Sequence, residues 1–462
     1  MTTTMIQRSA TSQVRRLGLT LLVAALGLVV LTGCTETSVD FPKVTKGDLV
    51  LPHGLDASGK VSLEADIRAG DYARVLLGYA YFAEQAPAAD KAAATKTLVD
   101  LWQATDRMFL AKNGEVVNRW DPDPAPAGPL TKKVGDPNIA TQAMMAYAAA
   151  YAHQTFRRGN LDAATYATIN PWIGTSSITM SRYAMDAMYD KTNGGFWGTA
   201  KPGERKSLAD QAWGLVNIEV LRLLHERHGE DRLPAGYKAT DLKRIAVQMD
   251  DLLRKAWSAE FGVYGDTFNP DGSAARVDTP RYDKRTVGIL LWGHATLASL
   301  LKDDPARVKD ITARAERLLQ TTFAVGSTLQ FDVGITREID VVQGKAKIAR
   351  DEVNTGRLFD AVWALGRMHN LGMKFDLSHK IVTEMVVLGA TQMHDEFGLI
   401  HDFKFTKPAE RSLDKEATYI PAYNYAALSS LADVPATQRD IVLKAVRLNQ
   451  ALLRDVITRP VP

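Results

Sequence analysis

The chain has 462 residues, 46% of them apolar and 24% charged, with 33 glycines, 19 prolines and a single cysteine. That composition excludes a disordered or collagen-like chain, and one cysteine excludes a disulfide framework. Lys and Arg total 56 against 53 Asp and Glu, a near balance that leaves no electrostatic footprint for nucleic acid.

The first predicted element is a targeting segment. Arg8, Arg15 and Arg16 precede an apolar run over residues 17–31, which ends in Leu31-Thr32-Gly33-Cys34. A charged start, a short apolar core and small residues at its end describe a secretory signal, and the run is short for a membrane-spanning helix. Leu-Thr-Gly-Cys resembles the lipobox of bacterial lipoproteins. The resemblance implies a signal peptide over 1–33, cleavage before Cys34 and diacylation of its thiol with palmitate-type chains. Thr35 follows rather than Asp, which favours sorting to the outer membrane, facing the periplasm or the exterior. The alternative is an ordinary cleaved signal with an incidental cysteine. Residues 1–33 hold three Arg and no acid, so the mature chain carries 53 basic and 53 acidic side chains and is formally neutral. Residues 34–65, with Pro42, Gly47, Pro52, Gly54 and Gly59, read as a tether.

From residue 66 to 462 the chain is predicted to be one repeat domain. Aromatic-glycine turns recur at Gly195-Phe196-Trp197-Gly198, at 260–266 around Phe261, at 330–334 around Phe331 and at 396–402 around Phe397, with the Phe residues 65, 70 and 66 apart. Such a period holds two helices and two connections. A degenerate copy lies at Met108-Phe109-Leu110 to Asn113-Gly114, and an insertion over 159–174 accounts for its wider spacing. Apolar helices rich in small residues are predicted at 71–83, 136–151, 207–224, 285–301, 352–369 and 415–431; helices apolar nearly all round require burial in an inner layer. Between them, segments near 91–109, 175–189, 242–255, 307–322, 376–394 and 436–457 read as outer helices with one wet face. Six of each in alternation predict an all-α (α/α)6 toroid with the hairpin-like loops gathered at one mouth. An open solenoid is the competing arrangement.

The run 190–197, Asp-Lys-Thr-Asn-Gly-Gly-Phe-Trp, followed by Lys206 and Asp210-Gln211-Ala212-Trp213, resembles the six-hairpin glycosidase and N-acylglucosamine 2-epimerase-like group. The resemblance implies a substrate site in the barrel mouth and action on a carbohydrate. The inner-helix starts carry Asp136, Asp210 with Gln211, Asp283 with Lys284 and Arg285, Asp351 with Glu352, and Asp414 with Glu416. Glycosidic cleavage commonly takes two carboxylates flanking one bond, so Asp210, Asp283 and Glu352 are the catalytic candidates. Trp197, Gln211, Tyr264, Arg285 and His401 are the candidates for sugar binding. Against this stands a purely structural reading, because an acid at a helix start caps free N–H groups and opposes the helix dipole.

Polar residues deeper in the inner helices, Gln142, Asn217, Glu219, His294, Arg357, Asp360 and Asn424, must either pair or line a cavity. Arg357 and Asp360, three apart, are expected to pair with each other. Asp250-Asp251 falls on an outer helix and reads as a solvated face. His294 stands in Trp292-Gly293-His294 without the Trp and Glu companions of an epimerase site. The scattered histidines and lone cysteine give no metal motif, and no phosphate loop or nucleotide fingerprint occurs, so no cofactor is expected. Two functions remain: an envelope lipoprotein that is a hydrolase, lyase or epimerase on an envelope or exported polysaccharide, and a non-catalytic toroid that binds glycan or protein in an envelope assembly.

Overall fold

A computed structural model describes residues 54–55, 61–62, 67–85, 88–121, 132–156, 163–228, 233, 236–275, 281–323, 338–342, 345–350, 353–395, 398–399, 402–403, 411–412, 415–416 and 419–457. Twelve α-helices lie among them: α1 Ala69–Gln85, α2 Ala88–Phe109, α3 Ile139–Thr155, α4 Ala163–Ala187, α5 Leu208–His228, α6 Ala239–Ala256, α7 Lys284–Leu300, α8 Pro305–Phe323, α9 Thr355–Asn370, α10 Asp376–Gln392, α11 Tyr419–Ser429 and α12 Arg439–Ile457. Odd-numbered helices pack on one another in the order α1, α3, α5, α7, α9, α11, and α11 packs back on α1. The ring is therefore closed. At its seam the helices touch so closely that a Cβ built on Gly78 would stand 3.2 Å from Pro421 Cβ, which the open solenoid does not permit.

Sequence explains the two layers. In α3 the Ala residues 143, 146, 148, 149, 150 and 152 have no exposed surface, because an inner helix has neighbours on every side. The outer helix α6 buries Leu242, Ile245, Met249, Leu252 and Leu253 while Asp251, Arg254 and Lys255 face water. Asp250 corrects the solvated-face expectation. It is wholly buried, held by Arg254 at 2.9 Å, by Arg307 at 2.7 Å and by Arg314, so it ties α6 to α8. The helix α4 also begins earlier than the sequence suggests, since residues 163–174 belong to it rather than to an insertion.

Short antiparallel strands stitch the starts of the inner helices. Residues 67–68 lead into α1 and pair with 119–120; 206–207 lead into α5 and pair with 267–268. Residues 281–283 lead into α7 and pair with 338–340, and 353–354 lead into α9 and pair with 402–403. These strands and the hairpins place the mouth at the N-terminal ends of the inner helices. Deeper along the axis, aromatic rings from different inner helices meet. Tyr147 of α3 lies 5.0 Å from Trp292 of α7 and 5.5 Å from Trp363 of α9, the two Trp rings are 5.0 Å apart, and Trp363 is 5.1 Å from Tyr425 of α11. Edge-to-face packing of this kind gives the mouth a solid floor.

The best-matched hairpin shows how its motif builds the fold. Asp190 Oδ1 accepts the N–H groups of Thr192 at 2.9 Å and Asn193 at 3.0 Å, and Asp190 Oδ2 accepts from buried Lys206 at 2.7 Å. Gly194 and Gly195 follow at φ of 75° and 83°, in the left-handed region that suits glycine. The chain then inserts Phe196 against α5, where Gly214 leaves room for the ring.

Candidate active site

Above the aromatic floor, the mouth is organised by Asp360 of α9. Its carboxylate accepts from Arg74 Nη2 of α1 at 3.0 Å and from the Tyr425 hydroxyl, and Arg285 Nη1 of α7 stands 3.6 Å away. Four inner helices thus converge on one buried anion. Burial by itself would raise this carboxyl, but the adjacent Arg74 and Arg285 outweigh it and hold Asp360 below the usual carboxylate range. Arg285 also reaches the Trp213 ring of α5, 6.0 Å from its centroid, and its Nε has no hydrogen-bond partner. The side chains of Arg74, Arg285 and Arg357 retain 15%, 25% and 32% exposure, so the cluster offers donors to a molecule in the mouth. The expected Arg357–Asp360 pair does not form; Arg357 bonds Asp283 of α7 instead.

Asp210 lies in the first turn of α5, three residues before Trp213. Its Oδ2 accepts the Ser207 N–H at 2.9 Å and the Ser207 hydroxyl at 2.7 Å, and Gly198 of the hairpin lies close over its carboxylate oxygens. Burial raises its pKa, and the two Ser207 bonds oppose that only in part. Asp210 therefore favours the protonated form more than an exposed aspartate does. Asp283 has both oxygens engaged: Oδ1 caps α7 through the Arg285 N–H at 2.8 Å, and Oδ2 takes Arg357. Among the described residues no hydrogen bond or ion pair joins Asp210 to Asp283. Glu352, His401 and Cys34 lie outside the described residues, as do the turn at Phe331 and Phe397 itself, although residues 398–399 beside Phe397 pair with 394–395 as a short hairpin.

Two predicted sugar contacts are engaged inside the protein. Gln211 is fully buried and clips the hairpin, accepting from Phe196 N at 2.8 Å and donating to Phe196 O at 2.9 Å. Gln142 does the same one repeat earlier, accepting from Val116 N and donating to Gly114 O. Tyr264 has no exposed surface, and its hydroxyl bonds His294 at 2.6 Å and Arg314 at 2.9 Å. It presents no face to a ligand. The same contacts turn His294 towards the outer layer, where burial and Arg314 push its pKa down to about 4. Trp197 is 7% exposed with the Lys206 ammonium 4.2 Å from its ring, so one face is already covered. Among the described residues of the predicted sugar-binding group, Arg285 alone combines contact with Asp360 and accessible surface.

The partners of Asp360 were unforeseen: the sequence marks it as a deep polar residue and pairs it with Arg357, whereas Tyr425 and Arg74 stand 65 and 286 residues distant. Lys284 is the other unforeseen group. Its amine is buried without a hydrogen-bond partner, 5.6 Å from the Phe323 ring of α8, and burial pulls its pKa down to about 7.

Solved structures share this architecture. A cellobiose 2-epimerase from Bacillus thermoamylovorans B4167 superposes with a TM-score of 0.58 at 12% identity, over 82% of this chain and 92% of that one. The fold is the (α/α)6 toroid. A D-mannose isomerase gives a TM-score of 0.56 at 12% identity over 88% and 94% of the two chains. A cellobiose 2-epimerase from Spirochaeta thermophila DSM 6192 gives 0.55 at 13% over 88% and 91%. No protein-family model and no curated protein sequence matches the chain. At such identities the likeness establishes architecture; activity has to be argued from the mouth.

Proposed function

We propose that this toroid is a carbohydrate-active enzyme of the cell envelope that takes a segment of an envelope or exported polysaccharide into the mouth above Asp360. The observation that carries this reading is the convergence of Arg74, Arg285 and Tyr425 from three inner helices on buried Asp360 at the mouth, and the surroundings of Asp210 and Asp360 favour opposite charge states. Burial biases Asp210 towards its protonated form, whereas Arg74 and Arg285 keep Asp360 charged. Carboxyls whose surroundings drive their pKa values apart are suited to acid and charge-stabilising roles on one substrate. Asp210 is the proton donor in this scheme. Asp360 fixes Arg74 and Arg285, whose free donors hold sugar hydroxyls or a sugar carboxylate. The chain of contact from Trp213 through Arg285 to Asp360 joins the two sides of the site. Structures of the same fold include proteins named for epimerising and isomerising sugars, which is in keeping with this substrate class.

The non-catalytic reading draws on Asp283, whose two oxygens are taken by a helix cap and by Arg357. Asp210→Asn separates the two. Asparagine keeps an oxygen that can accept from Ser207 but has no carboxyl proton to give. If Asp210 is the acid, turnover of a responsive envelope glycan is lost while binding persists. A variant that turns the glycan over at the wild-type rate defeats the assignment and leaves the scaffold.

The envelope address rests on Leu31-Thr32-Gly33-Cys34. The proposed attachment is the lipid on Cys34; no helix among the described residues is long and apolar enough to cross a membrane. Labelled fatty acid should enter the wild-type protein and not Cys34→Ser; label retained by the variant would sink the proposal.

A further inference from the structure

At the end of the ring away from the mouth, three side chains from different elements face one another. His369 ends the inner helix α9, His379 lies in the first turn of the outer helix α10, and Asp433 follows α11. One ligand atom from each lies within 4.8 Å of the other two. Nδ1 of His369 is 3.8 Å from Asp433 Oδ2, and Nδ1 of His379 is 3.8 Å from Asp433 Oδ1. Both nitrogens are buried atoms without a hydrogen-bond partner. The His369 side chain is only 4% exposed, so its unpartnered nitrogen is aimed into protein, at a carboxylate.

The opposite edge of the His369 ring explains which nitrogen holds the proton. Nε2 lies 2.7 Å from Ser378 Oγ. That hydroxyl has one proton, which it donates to Phe375 O at 2.8 Å while accepting the Phe375 N–H at 3.1 Å. With the hydroxyl assigned in this way Oγ is an acceptor for the ring, which selects the tautomer in which Nε2 carries the hydrogen and Nδ1 keeps a lone pair. A lone pair turned towards a carboxylate repels it unless a cation stands between them. Lys374 Nζ, 3.0 Å from Asp433 Oδ1, supplies part of that charge, but its side chain is 44% exposed and contacts only one side of the cluster.

We propose that His369 Nδ1, His379 Nδ1 and Asp433 bind a divalent transition ion of the zinc type. Two imidazoles and one carboxylate suit such an ion better than calcium or magnesium, which prefer oxygen ligands. The Nε2–H bond to Ser378 is the outer-shell contact that orients a metal-bound imidazole. Ligands about 2.0–2.2 Å from a tetrahedral ion lie roughly 3.4 Å apart, so the cluster must contract slightly. His379, 41% exposed on an outer helix, has the freedom to do so. The ion would fasten α9 and α10 to the connection between α11 and α12, the last two repeats before the seam.

The experiment is calorimetric titration of the protein, without affinity histidines, with zinc sulfate, using magnesium and calcium as controls. One equivalent of zinc should bind, and neither control ion should replace it. His379→Ala and Asp433→Asn, both at partly exposed positions, should each weaken binding by at least about tenfold while keeping the wild-type circular dichroism spectrum. Lys374→Met should bind zinc more tightly, because the competing ammonium is gone. Failure of the wild type to bind one equivalent, wild-type affinity in both ligand variants, or weaker binding by Lys374→Met would overturn the proposal.

Discussion

Replacing Asp360 by Asn tests whether the mouth is held together by charge. The substitution keeps the size of the side chain and an oxygen that can accept from Arg74 or Tyr425, but removes the negative charge shared with Arg74 and Arg285. Losing one member of a buried ion pair costs about 3–5 kcal/mol. The lower end, about 3 kcal/mol, applies here because Arg74 and Arg285 are 15% and 25% exposed and water can solvate part of what is uncovered. With an unfolding entropy of about 2.1 cal/mol/K per residue over roughly 400 residues, that is a fall in Tm of ~4 °C. Scanning calorimetry at pH 7 measures it. The pH dependence provides a second reading. A depressed folded pKa means that the Asp360 contribution is complete above the unfolded value of about 3.9 and is lost as pH falls through the lower folded value. The wild type should therefore lose stability more steeply than the variant on the acid side. An unchanged Tm together with an unchanged acid limb would refute the argument that charge organises this site.

Gly214→Ala should destabilise the protein although alanine is the better helix former. The new Cβ would lie 2.0 Å from the Phe196 ring, and overpacking of about 1–3 kcal/mol exceeds the propensity gain; an unchanged denaturant midpoint would discount the wedge. Tyr264→Phe should lose about 1–3 kcal/mol by stranding His294 and Arg314, yet leave glycan binding intact, and weakened binding would restore Tyr264 to the site.

The fold was legible where a residue type answers to one local demand. Phe196 and Gly214 wedge together, Gly194 and Gly195 take the left-handed turn, and the alanines of α3 disappear into a layer with no wet side. The beginning of α4 was missed because Pro171 and Gly174 look like punctuation, yet the helix continues through both. The site was legible only in outline. Of the acids expected at the mouth, Asp283 spends its oxygens on a cap and an arginine, while the organising carboxylate is Asp360, in the second turn of α9. Its partners come from α1 and α11, and no local pattern encodes a contact across the ring. Asp250 teaches the same lesson on the outside: a charge opposite an apolar stripe reads as wet until a second outer helix brings arginines to cover it.

Closure of the ring imposes an order on its making. The helix α1 is synthesised first, yet one of its walls is α11, and its Arg74 finds Asp360 only 286 residues later. At roughly 5–20 residues per second, a ribosome needs about 15–60 s to cover that interval. Throughout it the Gly78 side of α1 has no Pro421 to meet. A finished ring has no first member, but a growing one does, and its earliest helix must be kept from wrong partners until the latest arrives. Moving the chain ends to another junction between repeats would pass that wait to a different helix while leaving the completed circle the same.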